Sequence, residues 1–198
     1  MSYRDKMEAL ITGWRTVWDD ARMPFYFVQL APYRYNTPDW LPDIWEAQLA
    51  ALAIPHTGMA VTTDIGNVTD IHPKNKQEVG RRLALWALAK TYEVDLLSYS
   101  GPIYKSMKNE GDRIRLFFEH ADDGLVSLDG KPLSWFTIAG ADQSFVEAEA
   151  LIDGNMVVVQ SDTVPEPLAV RFGWHEEAEP NLANKTGLPA SPFRTHSW

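Results

Sequence analysis

Cysteine is absent from all 198 residues, which excludes disulfides, thiol nucleophiles and cysteine-based zinc sites. The redox compartment stays open, since a cysteine-free fold works in cytosol or outside it. No stretch approaches the ~18–20 apolar residues of a membrane span, so no membrane partner is expected. Positive charge is also short: 18 Lys and Arg stand against 27 Asp and Glu, for a formal net charge of -9. That balance argues against nucleic acid, whose binders concentrate basic residues. An acidic sugar substrate would need local basic groups to overcome the overall field. Met1-Ser2-Tyr3-Arg4-Asp5-Lys6 leads into an amphipathic pattern rather than the apolar core of an export signal. His56, His120, His175 and His196 lie scattered without ligand spacing, so no metal is expected.

What is present suits a folded domain. The 45% hydrophobic content in a chain of this length is enough to bury a core. Met7, Leu10, Ile11, Trp14 and Trp18 repeat at helical spacing, predicting a helix with Trp14 and Trp18 on its core side. The run Phe25–Leu30 reads as a strand covered on both faces, as in a parallel sheet. A helix is predicted over Asp43–Leu52, facing inward through Ile44, Gln48, Leu49 and Leu52, and a strand over Gly58–Thr63. Asn75 and Glu78 have capping-box spacing, opening a third helix with Val79, Leu83, Trp86 and Lys90 on one face.

Near Ser98 the pattern changes. Arg113–His120 alternates, and short strand-like runs recur at Trp135–Ile138, Phe145–Ile152, Met156–Gln160 and Leu168–Phe172, separated by turns such as Asp129-Gly130 and Asp153-Gly154. The tail from Glu176 to Trp198 reads as an extended loop, with Glu177 and Glu179 a solvated charge cluster. The predicted fold class is therefore α/β: part of a parallel-sheet domain over residues 1–98, then an all-β, sandwich-like module over 99–198. Two parallel strands do not make a stable sheet. The remaining strands are expected outside this sequence, in a preceding segment, a complementing chain or a second copy.

Chemistry concentrates in Asp64-Ile65-Gly66-Asn67-Val68-Thr69-Asp70-Ile71-His72-Pro73, between a predicted parallel strand and a helix. In open α/β sheets, sites form in the crevice beyond the carboxyl ends of the strands. His72 there suits a general base, with Asp70 or Asp64 as its orienting acid; a loop histidine before a capped helix is the plainer alternative. Trp40 and Trp45 flank the neighbouring loop and are candidates for substrate contact, with packing as the other role. Arg194 is a candidate either for clamping the tail to the α/β half or for meeting a substrate carboxylate.

Several blocks carry a family resemblance: Trp14-Arg15 to Trp18, Pro24-Phe25-Tyr26-Phe27-Val28-Gln29-Leu30-Ala31, Asp70-Ile71-His72-Pro73-Lys74-Asn75-Lys76-Gln77-Glu78-Val79-Gly80, and Gly187-Leu188-Pro189-Ala190-Ser191-Pro192-Phe193-Arg194-Thr195. Together they resemble the sialate O-acetylesterases over nearly the whole chain. The resemblance implies an SGNH-type hydrolase core, flavodoxin-like in its parallel sheet, that removes acetyl esters from sugars, with 9-O-acetyl sialic acid among the candidate substrates. It implies a serine nucleophile, a histidine base and an orienting aspartate, and no cofactor. His72 takes the base position. The wider SGNH pattern puts the acid three residues before the histidine, where Thr69 stands here, so Asp70 and Asp64 remain rivals. The family's Gly-Gln-Ser-Asn-like serine block, and its later Gly-Glu-Ser/Ala-Asn-like block, are nowhere in this sequence.

None of the ten serines sits in either context. The expectation is thus the C-terminal part, or a split subunit, of a carbohydrate O-acetylesterase whose parent is exported. The alternatives are a complementing subunit, a non-catalytic carbohydrate-binding or interaction protein, and a truncated sequence.

Overall fold

A computed structural model describes residues 3–95 and 98–198. Helix α1 spans Tyr3–Val17 and buries Met7 and Ile11 alone. They pack with Ala51, Ile54, Phe25 and Phe27 in a small core. The predicted stripe is shifted as a result: Trp14 is 47% and Trp18 67% exposed, in line with Leu10 and Val17 on an uncovered apolar face. Strand β1, Phe25–Val28, pairs in parallel with β2, Thr57–Ala60, with Phe25 opposite Thr57 and Val28 opposite Ala60. No other strand joins them among the described residues. β1 is consequently only half-buried, against the expectation of cover on both faces, whereas β2 is buried throughout.

Helix α2 begins at Trp40, three residues before its predicted start, and runs to Ala50, where a short 3-10 turn, Ala51–Ala53, continues it. Pro42 is tolerated because it lies in the first turn, where backbone N–H groups have no helical acceptor. Of the predicted inward face only Gln48 is buried, and Leu41 and Trp45 complete the buried side in place of Ile44, Leu49 and Leu52. Gln48 is fixed by hydrogen bonds that cap the end of β1: it accepts from Leu30 N and donates to Val28 O. Helix α3, Lys76–Lys90, is capped as predicted, with the Asn75 side chain accepting from Glu78 N at 3.1 Å. Its Trp86 is buried and donates to Met59 O on β2. Beside it, Gly58 leaves room that a methyl group would take from the Trp86 ring, 2.5 Å away.

The rest is antiparallel. Strands β3 (Ile103–Asn109), β4 (Arg113–Glu119), β8 (Glu149–Asp153) and β9 (Met156–Gln160) form one four-stranded sheet in the order β3-β4-β9-β8. β6 (Phe136–Ala139), β7 (Val146–Glu147), β10 (Ala169–Phe172) and β12 (Phe193–Arg194) form another, ordered β12-β10-β6-β7. β5 (Leu125–Ser127) pairs with β11 (Leu182–Asn184). Ile114, Leu116, Val157 and Val159 of the first sheet share one core with Phe136, Ile138, Val170 and Phe172 of the second. No sheet closes into a barrel among the described residues. The predicted run Phe145–Ile152 is divided, because the chain leaves one sheet after Glu147 and enters the other at Glu149.

The tail departs most from its predicted form. It contributes β11 and β12 and returns to the helical half. Glu176, 2% exposed, accepts hydrogen bonds from the backbone N–H groups of Tyr35, Asn36 and Thr37. Glu177 is held by the Arg34 guanidinium through both oxygens rather than being simply solvated. Ser191 accepts from the buried Gln29 side chain, and Arg194 donates to both carboxylate oxygens of Glu46 on α2.

Candidate active site

Parallel strands that end side by side deliver their following loops to the same edge. The loop after β1 carries Tyr33, Arg34, Tyr35 and Trp40, and the loop after β2 carries Asp64, Asp70 and His72. A hydrogen bond from Arg34 N to Val68 O, 3.0 Å, ties the two loops together. At the strand ends, Thr62 Oγ1 donates to Gln29 O. Gln29 Oε1 and Thr63 Oγ1 are buried there without a hydrogen-bond partner among the described residues.

Short polar side chains shape the second loop by folding back on its backbone. Asn67 Oδ1 accepts from the backbone N and the hydroxyl of Thr69. Asp70 Oδ1 accepts from His72 N at 3.1 Å. That turn brings the Asp70 carboxylate to 3.9 Å from His72 Nδ1, beyond hydrogen-bond range yet close enough to pair after a small rotation. The His72 side chain is 83% exposed, so its ring is open to an incoming group. Thr69 spends its hydroxyl on Asn67.

Asp64 is placed differently. Its two oxygens accept from Arg82 Nη1 and Nη2, each at 2.6 Å, and Arg82 also donates to Val61 O and to Glu78 Oε1. The Arg82 side chain is only 4% exposed, so Asp64 serves as the counter-charge of a buried cation. The guanidinium of Arg81, with that of Arg82, holds the Glu78 carboxyl down to about 2 despite partial burial. Arg82 escaped sequence reading because an arginine inside an otherwise apolar helical face looks like an error in periodicity. Its signal was the pair of acids, Asp64 and Glu78, on either side of the loop.

The substrate-contact candidates divide. Trp45 is fully buried and its Nε1 donates to Leu30 O, so it packs α2 against the end of β1 and offers no face to a ligand. Trp40 is 49% exposed and stands edge-on to Tyr35, itself edge-on to Tyr33, giving a short aromatic ridge on the loop. Arg194 is committed to Glu46 and lies 4.8 Å over the Trp174 ring, which is the clamp role rather than ligand contact. Among the described residues no three His, Asp or Glu side chains converge in a metal-holding group. Ser100 is buried and donates to Gly101 O, and Ser191 is buried with Gln29. No described serine hydrogen-bonds to the histidine.

No family model matches the chain. A sialate O-acetylesterase from Rattus norvegicus is 34% identical over 125 residues, covering 54% of this chain and 23% of the relative. Its counterpart from Mus musculus is 34% identical over 118 residues, covering 50% and 22%. The crystal structure of a carbohydrate acetylesterase from Xanthomonas citri superposes with a TM-score of 0.93 at 43% identity, over 99% of this chain and 46% of that one. The chain is a relative of the sialate and carbohydrate O-acetylesterases. It spans less than a quarter of the length of the curated relatives and about half of the solved esterase.

Proposed function

We propose that the chain provides the histidine end of a carbohydrate O-acetylesterase working by a Ser-His-Asp mechanism, with the serine supplied from outside these residues. The observation that carries the proposal is the exposed Asp70–His72 pair on the loop leaving the carboxyl end of a parallel strand. His72 takes the proton of the serine hydroxyl as it attacks the acetyl carbonyl, then returns it to the departing sugar oxygen. Water repeats the cycle on the acetyl-enzyme and releases acetate. Asp70 steadies the ring and the charge it gains. Asp64 is the weaker choice for that role, because both its oxygens already serve Arg82.

Three further features favour a serine-bearing complement, whether a preceding segment or another chain. Among the described residues the parallel sheet has two strands and no neighbour on either outer edge. Leu10, Trp14 and Val17 form an uncovered apolar stripe on α1, and Trp18 just beyond it is exposed as well. Gln29 and Thr63 keep unmatched polar atoms at the strand ends. With the complement in place, the α/β half (1–98) would be an SGNH-type domain and residues 99–198 a sandwich-like module. The acetylated sugar would enter over the Tyr35–Trp40 ridge.

The test is hydrolysis of a chromogenic acetyl ester and of an acetylated sugar. The purified chain would be assayed alone and mixed with the half of the Xanthomonas citri esterase that it does not cover. Activity should appear only in the mixture and should fall roughly 10⁴-fold or more with His72→Ala. A mixture that forms a stable complex yet hydrolyses neither ester, or hydrolyses both without His72, would refute the assignment.

A further inference from the structure

The second antiparallel sheet carries a cleft that the esterase reading does not use. A cleft of about 510 Å³ opens at the end of the sheet where β6 starts and β10 finishes, lined among others by Trp135, Thr137, Glu147, Trp174 and His175. That volume falls within the ~300–1,000 Å³ of small-molecule sites. None of Asp64, Asp70 and His72 lines it.

Its chemistry is specific. Trp135 is 41% exposed and sits in the left-handed backbone region at φ 64°, which a bulky residue adopts only when its surroundings enforce it. The enforcing contacts are a hydrogen bond from Gly173 N to Trp135 O and the His175 ring, stacked at 5.9 Å and 28°. His175 Nδ1 accepts from Glu177 N, so in the neutral ring the proton is on Nε2, a donor. Glu147 is exposed and makes no ion pair among the described residues. Pairing across the sheet sets Arg194, Arg171, Thr137 and Glu147 in one row on one face. Both arginines in that row already have partners, and Arg194 also lies over the ring of Trp174, which lines the cleft. Arg194 pairs with Glu46, and Arg171 donates to His196 Nε2 and lies 4.0 Å over Phe145. Arg194 is neutralised by Glu46, so among the lining residues the Glu147 carboxylate is the charge left without an ionic partner.

We propose that this cleft binds a neutral pyranose. An indole face packs against the C–H face of a sugar ring, a free carboxylate accepts from two neighbouring hydroxyls, and an imidazole N–H and a threonine hydroxyl complete the polar contacts. A sialic acid or uronic acid would set its carboxylate against Glu147, so anionic sugars are disfavoured. The proposal is independent of the esterase reading, since it needs no nucleophile and its test reads binding only.

Binding to the full chain would be followed by tryptophan fluorescence and saturation-transfer NMR. The neutral probes are methyl β-D-galactopyranoside and methyl β-D-xylopyranoside, and N-acetylneuraminic acid is the anionic one. At least one neutral probe should bind saturably, and Trp135→Ala should weaken it by roughly tenfold or more. Glu147→Gln, an exposed change that leaves the fold intact, should weaken the neutral sugar severalfold and narrow the gap to the anionic one. It also carries the test if Trp135→Ala does not fold. Absence of saturable binding by both neutral probes, unchanged binding in Glu147→Gln or in a folded Trp135→Ala, or tighter binding of N-acetylneuraminic acid would overturn the proposal.

Discussion

At the scale of single residues, the two acids of the candidate loop have separate roles. Asp70 bends the loop and stands beside His72, whereas Asp64 neutralises Arg82. Breaking a buried pair leaves an uncompensated charge, so Asp64→Asn should cost about 3 kcal/mol in a urea unfolding experiment, at the lower end because Glu78 still faces Arg82. Asp70→Asn, on an exposed loop, should alter stability far less. Glu78 makes the same cluster sensitive to acid. Its carboxyl lies at about 2 in the folded chain, below its usual 4.5, so the unfolded chain binds the extra proton first. The stability it contributes is complete above the unfolded value and is lost as pH falls through the folded one. The difference in melting temperature between the native chain and Glu78→Gln should therefore shrink between about pH 5 and about pH 2. A constant difference would mean that Arg81 and Arg82 do not hold this carboxylate. Sequence spacing located Asp70, His72 and Asp64 together, but it could not assign the acids, because the partner that distinguishes them, Arg82, lies 18 residues away on α3.

At the scale of elements, the helices and most strands were legible because amphipathic periodicity and capping are local properties. α3 shows this best: its cap at Asn75 and its buried Trp86 both follow from spacing. The failures come from partners that local sequence does not name. Helical spacing puts Leu10 and Trp14 on one stripe of the apolar face and Met7 with Ile11 on the next. Only packing chooses which stripe is covered, and here it is the second. β3 and β5 went unread, and the tail strands β11 and β12 are only 3 and 2 residues long, too short for alternation to register. One consequence can be measured. Replacing Trp14 and Trp18 together with Gln should change the stability of the isolated chain by less than about 1 kcal/mol. Trp86→Ala should cost about 3–5 kcal/mol, since it removes a buried ring and its hydrogen bond to β2. A large loss from the Trp14 and Trp18 change would show that the stripe is covered within the chain itself.

At the scale of the whole molecule, the tail joins the two halves. Glu176 collects three backbone N–H groups of the loop after β1, and Glu177, Ser191 and Arg194 reach Arg34, Gln29 and Glu46. The helical half and the antiparallel half are therefore not independent in space, although the sequence pattern changes from helical to strand-like near Ser98. Glu176→Ala removes the buried carboxylate that three backbone N–H groups of this loop share and should destabilise the chain by about 2 kcal/mol in chemical denaturation. It should also loosen the Tyr35–Trp40 ridge, visible as faster amide exchange at Tyr35, Asn36 and Thr37. We propose that His72 is half of a catalytic pair whose serine lies outside these residues. A fluorophosphonate probe labels only an activated serine, and mass spectrometry of the labelled peptides locates it. The purified chain should show no label on any of its ten serines, and in the mixture with a serine-bearing esterase half the label should fall on the partner and depend on His72. A His72-dependent label on a serine of this chain alone would contradict the account.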